Sequence, residues 1–236
     1  MALVGAGEFL DQMAEFDRGL LEATGRDRPR VVILPTASAP DGEATFQGWA
    51  EMGIRHFSAL GAEVEPVLVR TVAEGFDGAA LQAIGEADLV YLSGGHPRHL
   101  LTILRESPLG DALRAAHARG AVVVGCSAGA MAIVGRTPDF RYLPRARVPI
   151  PFPLRWRFGL GLVDGLAVLP HYDAFPEAFS AFLALQAPRG GVLLGIDEDT
   201  AVVGRNGAWQ VHGRGRVTVW RGRRRERFRK GDAFRI

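Results

Sequence analysis

The segment Ala121 to Ala132, AVVVGCSAGAMA, decides the fold. An apolar, β-branched run meets Gly125-Cys126-Ser127-Ala128-Gly129 and continues into small residues that suit a helix. Strand, tight turn and helix follow one another without a spacer. This is the G-x-S-x-G pattern of a nucleophile elbow, where a serine stands on a sharp strand-to-helix turn. The chemistry explains the composition. The hydroxyl must stand clear at the C-terminal end of the strand, and the flanking glycines and alanines let backbones pack closely. The N–H of Ala128, opening the helix, then faces the reacting oxygen, where the helix dipole favours negative charge. Ser127 is thus the expected nucleophile. Cys126, its neighbour on an extended segment, points the other way and reads as a small buried hydrophobe rather than a rival nucleophile.

Outward from this segment, short apolar strands alternate with helical stretches. The strand candidates are Ala2–Val4, Val31–Leu34, Val64–Val69, Leu89–Leu92, Ala121–Gly125, Leu166–Leu169 and Val192–Ile196. Several are apolar throughout, as strands buried on both faces should be. Such alternation implies an α/β fold with a mostly parallel sheet covered on both sides. After Thr200 the helices vanish, and short strands with glycine turns predict antiparallel additions at an edge. One stretch breaks the rhythm: Arg136 to Phe158 carries five prolines and six arginines between core strands. Connectors of that length are usually functional or disordered. Core strands on both sides of it argue for a single domain over residues 1–236.

Composition sets outer limits. The chain has 236 residues, 47% hydrophobic and 23% charged, with mean hydropathy +0.07. A chain of this size buries roughly 70–75% of its unfolded surface without staples. One cysteine excludes an intrachain disulfide and multi-thiolate zinc cages. No charged leader and no membrane-length apolar run is evident, so a cytoplasmic protein is the simple expectation. The net charge of +2 hides a basic tail, Gly213 to Ile236, in which nearly every cation is arginine. A basic tail can bind nucleic acid, but Arg216-Val-Thr-Val-Trp220 and Arg225–Arg229 alternate like half-buried strands. A solvated strand pair is expected, with no nucleic-acid or membrane partner. A homo-oligomer is left open.

A serine nucleophile needs a base. His56 and His117 fall within helices, and His212 lies among the C-terminal strands. His96 and His99 follow Ser93-Gly94-Gly95. His171 ends the strand Leu166–Leu169, and sites in parallel sheets lie beyond the C-terminal strand ends, so His171 is the expected base. An acid to orient it should come from Asp197-Glu198-Asp199, after the next strand; strand-end position does not separate the three. A second oxyanion donor is expected from the bare amides of Leu92-Ser-Gly-Gly-His96. Gly5-Ala-Gly-Glu8 superficially suggests dinucleotide binding, but Leu10 replaces the third glycine of that fingerprint. Two other readings compete: an α/β-hydrolase esterase, whose triad order would require His212, and a binding domain that has lost activity.

Together these segments resemble the serine peptidases that include cyanophycinase and dipeptidase E. The matching pieces are Leu3–Glu8, Tyr91–Gly95, Gly125–Ala130, Gly159–Leu162, Pro170–Tyr172, Gly195–Ala201 and Lys230–Phe234, in family order along nearly the whole chain. The resemblance implies a class I glutamine-amidotransferase-like, flavodoxin-like domain of three α/β/α layers. It implies Ser127 as nucleophile, His171 as base, Glu198 as acid, and Gly95 and Ala128 as oxyanion donors. It implies a small peptide substrate with an aspartyl group, and no metal or organic cofactor. Two departures stand out: His96 replaces the Asp or Asn frequent after the glycine pair, and Asp173–Glu177 carries none of the arginines that follow the histidine in cyanophycinases. The connector Arg136 to Phe158 follows the helix after Ser127 and precedes the strand that carries His171, so its arginines, Arg155 and Arg157 among them, are expected with His96 to bind an acidic substrate.

Overall fold

The structure, a computed structural model, describes residues 1–139, 155–188, 190–205 and 207–236. Its first half runs β1 (Ala2–Val4), α1 (Ala14–Glu22), β2 (Arg30–Leu34), α2 (Glu43–Ala59), β3 (Glu63–Pro66), α3 (Gly78–Glu86), β4 (Leu89–Leu92), α4 (Pro97–Glu106), α5 (Leu109–Arg119), β5 (Val122–Cys126) and α6 (Ala128–Ile133). The rest runs β6 (Arg136–Pro138), β7 (Trp156–Phe158), β8 (Leu166–Leu169), α7 (Glu177–Leu185), β9 (Val192–Ile196), β10 (Thr200–Arg205), β11 (Ala208–Gly213), β12 (Arg216–Arg221), β13 (Arg224–Arg229) and β14 (Ala233–Arg235).

The central sheet has the order β14-β11-β10-β1-β5-β4-β2-β3. Strands β3, β2, β4, β5 and β1 are parallel, and β10, β11 and β14 add antiparallel beyond β1. Alternation along each parallel strand divides its side chains between two faces. Val32, Leu34, Val90 and Leu92 pack with Ile84, Leu100, Ile103 and Leu113 from α3, α4 and α5. Val31, Ile33, Leu89 and Tyr91 pack with Phe16, Leu20 and Phe57 from α1 and α2. Each fully buried Leu or Ile contributes about 1.5–3 kcal/mol relative to exposure, so a strand this apolar is stable only with helices on both sides. The expected α/β class with a mostly parallel sheet is what forms.

Not all the later strands join the single sheet expected; β10, β11 and β14 do, and the others do not. Strands β6 to β9, β12 and β13 build a second sheet, β13-β12-β9-β8-β6-β7, in which β6, β8 and β9 are parallel. Leu166, Val168, Leu194, Ile196, Val217 and Val219 on one face of it merge with the cluster around α6. The other face, with Ala167, Leu169, Leu193 and Trp220, packs on Leu183 and Ala184 of α7. The basic tail is the strand pair expected: β12 and β13 form a hairpin, with Arg221 and Arg224 on Glu226 and Arg225 and Arg227 on Glu177. The connector's two ends also pair, as β6 and β7, with the Arg136 guanidinium 3.6 Å from the Phe158 ring centre. Arg141, Arg145 and Arg147 lie outside the described residues. Among the described residues, no helix is long and apolar enough to cross a membrane.

Candidate active site

Ser127 follows β5 directly and has φ 48° and ψ −108°, a region non-glycine residues rarely occupy. The strain is held from both sides. Its N–H donates to Val4 O of β1 at 2.9 Å, and its carbonyl accepts the first helical bond of α6, from Met131 N–H at 3.1 Å. Gly129 sits where a Cβ would come within 2.3 Å of Leu92 O, so the elbow packs against β4 only because that residue is glycine. Cys126 is fully buried, and burial pushes its thiol well above its usual range, with Glu8 adding to the effect. A protonated thiol in the core is a poor nucleophile.

His171 stands two residues beyond β8 in the left-handed region, φ 50° and ψ 40°. The turn that follows turns its ring toward the elbow, and its Nε2 lies 2.9 Å from Ser127 Oγ. On the other side Nδ1 lies 2.7 Å from Glu198 Oε1. Nδ1–H donating to the carboxylate leaves Nε2 to accept from the serine hydroxyl, which assigns the tautomer. Such a line of three groups lets Oγ surrender its proton as it attacks a carbonyl.

The three consecutive acids go three ways. Asp197 is buried and its Oδ2 accepts the Arg216 N–H at 2.9 Å. Asp199, at φ 49°, accepts from Gln12 Nε2 at 3.1 Å and is ion-paired with Arg214. Of the three, Glu198 meets His171, and its N–H donates to Asp173 Oδ1 at 3.0 Å, tying the loop that carries Glu198 to the one that carries His171. His212 lies elsewhere, in β11 opposite Ala201, with its ring 5.5 Å from Phe16.

Gly94 and Gly95 follow β4 beside the elbow. Gly95 has φ 132°, and a Cβ there would come within 2.4 Å of Ala37 O. Its N–H has no partner among the described residues, and Ala128 N–H, opening α6, has no helix carbonyl before it. His96 is exposed and its Nε2 lies 2.8 Å from Asp41 Oδ1. Arg155 is exposed. Arg157 Nε donates to the buried Asp139 at 2.8 Å. Sequence reasoning gave Glu8 no role, yet its buried carboxylate reaches both Gly94 and Cys126. The available signal was a charged residue just beyond a core strand, at the same sheet end as Ser127. Among the described residues no cluster suits a metal ion. A cavity of about 790 Å³ lies at the opposite end of the sheet, beside Met1, Val122 and Trp209.

Comparison with known proteins gives the same direction. The chain is 28% identical over 229 residues to the cyanophycinase of Trichormus variabilis, covering 92% of this chain and 72% of that one. It is 27% identical over 166 residues to the uncharacterized peptidase YgaJ of Bacillus subtilis, covering 70% of this chain and 64% of that one. The crystal structure of a peptidase from an acI-B1 Actinobacterium superposes with a TM-score of 0.87 at 30% identity, over 100% of this chain and 96% of that one. A putative peptidase E protein from Listeria monocytogenes shares the fold, with a TM-score of 0.62 at 20% identity over 91% of this chain and 98% of that one. The protein is a peptidase of the serine type. Residues 1–212 match peptidase family S51, and the chain belongs to that family.

Proposed function

We propose that the chain hydrolyses small aspartyl-containing peptides through an acyl-enzyme on Ser127. The observation that carries this reading is the hydrogen-bonded line from Ser127 Oγ through His171 to Glu198. His171 Nε2 takes the Oγ proton as Oγ attacks the scissile carbonyl, and Glu198 stabilises the imidazolium. The N–H groups of Gly95 and Ala128 receive the oxyanion. His171 then protonates the leaving amine, and water releases the acyl group by the same steps. The aspartyl preference is supported by the cyanophycinase relative; His96 and Arg155, both exposed, are the side chains that would receive the carboxylate, while Arg157 is already engaged by Asp139. An arginine matches a carboxylate in a planar, two-pronged contact that an amide does not repeat.

The test uses a fluorophosphonate probe and a panel of α- and β-aspartyl dipeptides beside their asparaginyl counterparts. The wild-type chain should label at Ser127 and cleave members of the aspartyl set. Ser127→Ala should lose labelling and about 10⁴–10⁶ in turnover while staying folded. Near wild-type turnover by Ser127→Ala would sink the acyl-enzyme reading, and equal rates on aspartyl and asparaginyl peptides would sink the specificity.

A further inference from the structure

We propose that Glu8 is a positioning residue that sets the spacing between the Gly94-Gly95 strand end and the Ser127 elbow. The side chain is 6% exposed, and it bridges two neighbouring strand ends from a third. Oε1 accepts the Gly94 N–H at 2.7 Å. Oε2 accepts the Cys126 thiol at 2.9 Å, and Cys126 immediately precedes the nucleophile. Strands β1, β4 and β5 thus meet at one carboxyl group directly behind the serine.

The packing leaves no slack. A Cβ on Gly94 would lie 2.7 Å from Glu8 Oε1 and 3.4 Å from the Cβ of Ser127. The Gly94 backbone is therefore pressed between the carboxylate and the nucleophile. Fixing Gly94 N–H fixes the peptide that follows, which carries the N–H of Gly95. Among the described residues no lysine, arginine or histidine is ion-paired with Glu8, and two donors, one amide and one thiol, hold it. A buried acceptor with such partners is costly to leave unmade and hence geometrically defining. The thiol of Cys126 keeps its proton in this setting, so it acts here as a donor. This explains a cysteine beside the nucleophile without giving it a reaction.

The inference rests on the reading of Gly95 as an oxyanion donor, and the test separates the two. Fluorophosphonate labelling forms the Oγ–P bond and expels fluoride, and it needs the same donors. The maximal labelling rate is measured per labelable site for wild type, Glu8→Leu, Glu8→Asp and Glu8→Gln. Glu8→Leu should lower that rate roughly 10–100-fold with less than about twofold change in probe affinity, because a displacement near 1 Å costs about that much. Glu8→Asp keeps the charge but is too short to reach both donors, and should lose about 10-fold. Glu8→Gln still accepts from Gly94 and should stay within about 5-fold of wild type. A merely structural role would lower Tm and the labelable fraction, not the rate per site. If Glu8→Leu does not fold, Glu8→Asp decides. A folded Glu8→Asp chain labelling at the wild-type rate overturns the proposal alone. A wild-type chain that does not label at Ser127 overturns the acyl-enzyme reading and takes this one with it.

Discussion

Glu198 Oε1 and His171 Nδ1 lie 2.7 Å apart, on the side of the imidazole away from Ser127. A carboxylate there fixes the tautomer and the orientation of the ring. Glu198→Gln keeps the shape and removes the charge, and turnover should fall on the order of 10²–10³. That is less than for a fully buried acid of this type, since Glu198 is half exposed to water. Asp199→Asn should change turnover by no more than about threefold, its carboxylate serving Gln12 and Arg214. Steady-state kinetics of the variants decide, and equal losses at positions 198 and 199 would refute the assignment.

Gly95→Ala should damage both stability and turnover. Its φ of 132° is closed to side-chain-bearing residues, and the added Cβ meets Ala37 O. The strain should cost roughly 1–3 kcal/mol in denaturant unfolding. Turnover of the folded fraction should drop further still, because the shifted N–H no longer meets the developing charge. A Gly95→Ala chain with unaltered Tm would show the close approach to Ala37 to be wrong.

Arg157→Ala should destabilise the chain by about 1.5–3 kcal/mol, through loss of a charge-assisted hydrogen bond to a buried carboxylate. The partner, Asp139, stands next to β6, so the loosening should reach the β6–β7 pair. Urea midpoints of Arg157→Ala and Arg155→Ala separate the two arginines. Arg155 is exposed, and its removal should leave the midpoint nearly unchanged. A comparable loss in both variants would contradict this.

Burial raises the Asp197 carboxyl above its usual 3.8, with the Arg216 N–H opposing. The folded chain then holds this proton more tightly than the unfolded chain. Its contribution to stability is complete below 3.8 and is lost as pH rises through the folded value. Asp197→Asn keeps an acceptor for Arg216 and removes the titration. The Tm of the variant minus that of wild type should therefore be more positive at about pH 6.5 than at about pH 3.5. A difference that stays flat, or slopes the other way, would show that burial does not govern this group.

The elbow was legible because its determinants are local: one turn, two glycines and a serine within five residues. His171 was legible from its place at a strand end. Glu198 was not separable from its neighbours by the residues alone, because distant anchors sort the three acids. Asp197 is claimed by Arg216 of β12, while Asp199 N–H donates to Ala6 O after β1. Glu198 is left to project between them. The second sheet was hidden for a similar reason. An apolar alternation such as Leu166–Leu169 tells which side chains are buried, but pairing partners many residues away leave no trace in that period. Glu8 was passed over because the glycines around it suggested a nucleotide loop, and its real partners, Gly94 and Cys126, lie in other strands.

Ser127 stands on the central sheet, whereas His171 and Glu198 arrive from the second one, after β8 and β9. An apolar seam formed by residues such as Val168, Leu194 and Ile196 helps keep the two sheets in register. Catalysis is therefore a sensitive thermometer of that seam. A slip of an ångström there parts Ser127 from His171 while both sheets keep their backbone bonds. On warming, turnover should fade several degrees before the far-ultraviolet circular dichroism changes, and a single enlarging or shrinking substitution at Val168 should widen that gap.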